Sequence, residues 1–365
     1  HRMISYNSHW LFLNSIYSIS FFTSSLFILT SLLFSISIYD FYKLWNQSLK
    51  SNEYYSAIIS FFVLIFLLGV LHKYKDLGTD APGVIINIYI FMVIFRYLFD
   101  KKNNDAQNIF IIIFILCQFA VIIKITNSLI ILFIIFLLFK ISVKRINYLF
   151  FLFTLLVPLL WIFQNYIISN CLIWPISFLC FSSVELAIKE TYLIESFAKG
   201  DITTTMELGG FSWINVWLSN HSVKILETYG LYVFILLVPF IYVSSKKKFN
   251  IKKFFKFIKK IFFNSNYLVI FSIILISNFV WFLFTPAYRF GIFYNLSLII
   301  MLILPLWLYV IENNLKLLIN YSKFILIIIC TYFIFENIKK IDWYIKRYDI
   351  WPPIYQQNLI DRKNF

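Results

Sequence analysis

Arg289 poses the sharpest chemical question in this chain. It stands in TPAYRFG (285–291), between two stretches, Tyr267 to Phe284 and Ile292 to Ile311, that carry no charge. Pro286 and Gly291 break helix, so the heptapeptide reads as a tight turn between two apolar helices. Two readings of the arginine stand side by side. It anchors the turn among lipid headgroups, or its planar fork of donors binds a phosphate bidentately, with Tyr288 and Phe290 packed around the ligand.

Other residues able to do chemistry lie in connections. HKYKDLGTDAPG (72–83) holds His72, Asp76 and Asp80. Asp76 to Asp80 is a turn signal, because Gly permits positive φ and Asp and Thr bond nearby backbone. Asp80 either caps the next helix, with Pro82 in its first turn, or joins Asp76 as a catalytic carboxylate. Such a carboxylate is a general base, or it holds a divalent cation on a phosphate-bearing substrate. Cys171 and Cys180 flank Pro175 in CLIWPISFLC. On an oxidising face they form a disulfide; otherwise they are two separate buried thiols. Trp213 and Trp217 offer a platform for stacking sugars, or they anchor a helix at headgroup level.

The elements that must position these residues are helices in a membrane. The chain is 61% hydrophobic and 13% charged, with a mean hydropathy of +0.81. A soluble domain is roughly 25% charged. About ten spans follow from repeated apolar runs near the length that crosses ~30 Å of hydrocarbon: 20–39, 57–71, 83–99, 107–123, 125–139, 146–168, 229–244, 267–284, 292–311 and 324–337. The predicted class is an all-α polytopic membrane protein. Residues 1–19 form an outer loop with an interfacial helix, 20–168 a six-span region, and 169–228 an extracytoplasmic loop and helix segment. A four-span region (229–337) and an outer tail (338–365) complete it.

Orientation follows from lysine and arginine. The connection 245–266 contains Lys246, Lys247, Lys248, Lys252, Lys253, Lys256, Lys259 and Lys260, which assigns it to the cytoplasm. Alternation then places 40–56, 100–106, 140–145 and 312–323 on the same side. Lysines in cytoplasmic loops explain the net charge of +15 better than nucleic acid does, so no nucleic-acid partner is expected; the partner is membrane lipid. IKKFFKFIKKIFF (251–263) reads as an interfacial helix on an anionic leaflet, with Ile251, Phe254, Phe255, Ile258 and Phe262 on one face, or else as a solvated basic loop. Every unusual connection, TPAYRFG included, falls on the opposite, outer face.

His1-Arg2 with Asn7-Ser8-x-Trp10, KDLGTD, CLIWPISFLC and Pro286-x-x-Arg289-Phe290-Gly291 resemble a family of uncharacterised bacterial multi-span inner-membrane proteins similar to GT-C-type glycosyltransferases. The resemblance implies an enzyme of the bacterial inner membrane that takes a sugar from a polyprenyl-phosphate carrier at the extracytoplasmic face, with no nucleotide sugar and no cofactor beyond a divalent cation at most. It also implies that His1, Arg2, Asn7 and Trp10 are the remainder of a first outer loop. The essential acid of that loop is expected upstream of His1, since the chain has no initiator Met and reads as starting inside a longer frame. Two other functions use the same features: a surface-polysaccharide polymerase or ligase, which relies on outer arginines, and a lipid-linked glycan transporter, which places ionisable groups at the midplane.

Overall fold

The computed structural model describes residues 28–70, 80–100, 106–140, 148–173, 176–182, 184–199, 211–245, 250–284 and 286–348. Helices α1 (Ile28–Ser51) and α2 (Tyr54–Gly69) form a hairpin that turns at Asn52, whose φ of 60° suits asparagine. Next come α3 (Asp80–Phe99) and α4 (Ala106–Ile123). Lys124 is then extended, and a 3₁₀ turn (Ile125–Ile130) leads into α5 (Ile131–Lys140). Helix α6 (Tyr148–Ser169) is followed by the Cys171–Cys180 hairpin and α7 (Val184–Lys199). Helices α8 (Trp213–Ile225) and α9 (Leu231–Ser244) are joined by a π-helical turn. Helices α10 (Ile251–Phe262), α11 (Ser265–Phe284) and α12 (Ile292–Tyr348) complete the chain. Among the described residues there is no strand.

Among the described residues, six helical stretches are long and apolar enough to cross a membrane: Asp80–Phe99, Ala106–Ile123, Leu152–Ser169, Trp213–Ser244, Ser265–Phe284 and Ile292–Trp343. This is the build of an integral, multi-helix membrane protein. Helix α6 exposes Leu152, Phe153, Leu160, Phe163 and Ile167, an apolar surface whose natural neighbour is hydrocarbon. Helix α2 lies at the centre, buried on every face from Ser56 to Leu68 and packed on α1, α3, α9 and α12. At 16 residues it is ~24 Å long, short of the ~30 Å hydrocarbon core. Wrapped in protein, it has no lipid thickness to match.

Several boundaries differ from the sequence reading: α1 runs to Ser51 through most of the expected loop 40–56, and α12 runs to Tyr348 into the expected tail. The span expected at 229–244 begins at Trp213, because Gly230 keeps helical angles (φ −60°, ψ −52°) and does not interrupt the run. The end of the segment 169–228 is therefore continuous with a span. The expected loop 312–323 is helical apart from a break at Asn314 (φ −161°, ψ 76°). The Asn314 side chain accepts the Leu317 N–H at 3.1 Å and so restarts the helix as a cap.

Two of the prolines inside helices, Pro239 and Pro305, are compensated by aromatic donors. Pro305 cannot donate to the carbonyl four residues before it, and the Tyr267 hydroxyl of α11 donates to that Met301 carbonyl instead. Pro239 likewise frees the Ile235 carbonyl, which accepts the Tyr321 hydroxyl at 2.6 Å. The next carbonyl, Leu236, accepts Trp307 Nε1–H at 2.6 Å. The indole of Trp307 is itself fully buried, against Phe61 and Phe62 of α2. Tyr267→Phe should cost about 1 kcal/mol, the usual worth of such a bond. The expected readout is a melting temperature lowered by a few degrees in detergent, with the exposed Tyr39→Phe as an unchanged control.

Candidate functional site

Asp80, Lys124 and Arg289 meet at one end of the bundle. Asp80 is the first residue of α3, where the helix dipole favours a negative group. Lys124 occupies the break after α4. Its extended backbone (φ −160°, ψ 125°) turns the chain out of that helix, and Asn127 then closes the turn. The Asn127 amide donates to the Ala120 carbonyl at 2.9 Å and accepts from Asn87 Nδ2 of α3 at 3.0 Å. That bridge ties the α4 terminus to α3 and delivers Lys124 to Asp80. Gly83 makes room for it: a Cβ there would stand 2.7 Å from Asn127 Nδ2.

The arginine arrives on a second rigid turn. Residues Tyr288–Phe290 form a 3₁₀ turn between α11 and α12. Trp217 Nε1–H of α8 donates to the Pro286 carbonyl at 2.7 Å, and Trp281 Nε1–H of α11 to the Ala287 carbonyl at 3.2 Å. Gly291 is required by close approach, since a Cβ would meet the Trp281 ring at 2.3 Å. Tyr294 completes the link, donating its hydroxyl to the Thr126 carbonyl at 2.8 Å. Both cation-bearing turns are thus fastened to each other.

The charges differ in exposure. The side chains of Asp80 and Lys124 are 7% and 8% exposed, and that of Arg289 is 49% exposed. Lys124 Nζ bonds Asp80 Oδ1 and lies 3.7 Å from the centre of the Phe290 ring, a cation–π contact. Arg289 approaches Asp80 Oδ2 through Nε at 3.7 Å. Its terminal Nη groups have no partner among the described residues. Arg289 lines a narrow, shallow cleft with Val84, Asn127 and Phe293, whose enclosed space is about that of one water molecule. One carboxylate between two cations leaves a net single positive charge. This arrangement attracts an anion, and Arg289 offers it a planar fork. Among the described residues it does not suit a divalent cation, because both Asp80 oxygens already face cations and no other described acid joins them.

Ionisable groups at the far end of α3 have the reverse balance. Arg96 meets Glu53 at 3.9 Å, and the Ser56 hydroxyl donates to Asp100. Burial pushes the Asp100 carboxyl above the ordinary carboxylate range, opposed by the Ser56 hydrogen bond. In that cluster two acids stand with one base.

The residues expected from sequence divide accordingly. Asp80 and Arg289 come together, and Tyr288 flanks them with its ring 6.1 Å from that of Tyr229. Cys171 and Cys180 are disulfide-bonded. Trp213 and Trp217 are buried rather than presented to a sugar or to headgroups. Trp217 fastens the Arg289 turn, and Trp213 packs on Phe282 with Lys199 over its ring at 5.1 Å. His1, Arg2, Asn7, Trp10 and Asp76 lie outside the described residues. Lys124 and Asn127 did not emerge from the sequence reading. Yet Lys124 carried the same signal as Arg289, a lone cation between two apolar runs.

Fold and site together define a polytopic α-helical membrane protein with an anion-attracting cleft at one end. The chain belongs to the family described as "Domain of unknown function (DUF8201)", whose model matches residues 1–296. That match includes all three charges of the cluster. No curated protein and no solved structure matches the chain. Gly291→Ala should force the Trp281 ring aside and cost roughly 1–3 kcal/mol, as overpacking does. Thermal melting would show the loss, and Gly69→Ala, where nothing lies near the added Cβ, should lack it.

Proposed function

We propose that this protein is a GT-C-like membrane glycosyltransferase of the bacterial inner membrane. It has about ten spans and transfers a sugar from a polyprenyl-phosphate donor at the extracytoplasmic face during assembly of a surface glycan. The observation that carries this reading is the convergence of Arg289 and Lys124 on Asp80 beside an open cleft. A lipid-linked donor presents its phosphate at the depth of a helix end. Departure of that phosphate leaves negative charge, which pre-placed cations stabilise. Arg289 binds the phosphate through its Nη fork, and Lys124 supplies the second positive charge from behind. Asp80 holds both in place. A general base needs an oxygen facing the hydroxyl it deprotonates, and here Oδ1 faces Lys124 and Oδ2 faces Arg289. On this reading the proton from the acceptor goes to another carboxylate, and Asp76 is the candidate in the same connection.

The same geometry favours a second reading, a polysaccharide polymerase or ligase. Such an enzyme relies on cations more than on a carboxylate, and Lys124 adds a cation beyond the arginines. Substitution separates the two. In cells that depend on the full-length protein for glycan assembly, Arg289→Ala should lower assembly by roughly tenfold or more, the scale of a lost charge-assisted contact. Arg289→Lys should restore only part of it, because the fork is lost. Melting should stay within about 0.5 kcal/mol of the parent for this half-exposed position. Asp76→Asn abolishes transfer in the glycosyltransferase reading and spares it in the ligase reading. Full assembly with Arg289→Ala would sink both.

A further inference from the structure

A different observation, independent of that function, concerns α10. This helix lies at the end of the bundle away from Arg289: it follows the end of α9, precedes the start of α11 and packs on Tyr309, shortly before the Asn314 break of α12. Asn250 starts it, accepting the Lys253 N–H on its side chain at 3.0 Å. A helix turns about 100° per residue, and the surroundings divide this one into three sectors. The first faces protein. The Phe254 ring stands 5.1 Å from those of Phe240 and Tyr309, Phe257 stands 5.5 Å from Tyr309, and Ile261 is buried. The second sector continues the apolar arc: at its C-terminal end Phe262 packs on Tyr267 and Phe271, but in its first turns Ile251 is 61% and Phe255 64% exposed. The third is Lys252, Lys253, Lys256, Lys259 and Lys260, all exposed, with no acidic residue from Ile251 to Asn264.

We propose that α10 lies in the membrane interface and binds the anionic phospholipid of the leaflet at that end, with Ile251 and Phe255 among the acyl chains and the lysines on the phosphates. The packing covers one part of the apolar arc and leaves the part adjoining the lysines open. An amphipathic helix in the interface has that order of surfaces: hydrocarbon below, anionic headgroups at the flank. Five lysines without a counter-charge complement such headgroups, and each adds to the attraction near a negative membrane surface. A helix of 12 residues is marginal alone in water, so protein on one side and lipid on the other account for its persistence. A solvated basic segment would leave Phe255 in water, and an acidic protein partner would cover the lysines but not the Phe255 sector.

Spin labels test the placement in the full chain reconstituted in nanodiscs, with the exposed Cys330 replaced by serine. A label at Phe255→Cys should be relaxed by oxygen and shielded from an aqueous nickel complex, and one at Lys256→Cys should show the reverse. Equal nickel access at the two positions overturns the proposal. Lipid identity is tested by native mass spectrometry of the protein extracted from nanodiscs containing equal phosphatidylglycerol and phosphatidylcholine. The parent should retain roughly threefold or more phosphatidylglycerol relative to a variant with the five lysines changed to glutamine, and the preference should fade at high salt. Unchanged retention in that variant also overturns it. All five lysines and Phe255 are exposed, so these variants keep the fold.

Discussion

A backbone carbonyl that loses its helical donor inside hydrocarbon has no water to turn to, and this architecture depends on how the chain meets that demand. It does so with aromatic N–H and O–H groups from neighbouring helices. Tyr267 serves Met301 behind Pro305, while Tyr321 and Trp307 serve Ile235 and Leu236 beside Pro239. Each bond joins two helices at a point where one would otherwise be weakened. Trp217 and Trp281 do the same for the carbonyls of Pro286 and Ala287. The turn carrying Arg289 is therefore held by indoles of two helices, although it spans only a few residues.

The charge cluster follows from the same scarcity of water. A lone ion in such surroundings is costly unless paired, and Asp80 pairs with Lys124 in full burial. Arg289 joins more loosely and stays half exposed. Burial thus separates a fixed ion pair from a reachable cation. The pair supplies rigidity and field, and the arginine supplies the contact surface. Phe290 adds its ring face to Lys124, so a single turn presents the arginine and also shelters the lysine.

Much of this was legible in the residues. TPAYRFG announced a turn with a stranded cation, one of the two readings of Asp80 put it at the start of a helix, where it lies, and CLIWPISFLC marked a cysteine pair that is bonded. Lys124 was passed over as a separator between two apolar runs, because its significance comes from the Asn87–Asn127 bridge between α3 and the end of α4. Partners forty residues apart have no periodicity to betray them. The tryptophans 213 and 217 have the spacing of a membrane anchor, and the same spacing serves a helix that turns both rings inward onto α11.

Composition and hydropathy by themselves determined that this chain is helical and embedded in a membrane, because backbone in hydrocarbon must satisfy itself and long apolar runs can do so only as helices here. They also marked some of the interruptions, TPAYRFG among them, although Gly230, Pro239 and Pro305 lie within continuous helix. Only the tertiary structure decided which interruptions meet. Charges in different connections, remote in sequence, gain meaning when helix ends are brought together, and helix packing rather than local preference sets that register. The same holds for α10: its amphipathic pattern is written in the sequence, but which part of its apolar arc remains for lipid is settled by Phe240 and Tyr309 occupying the rest.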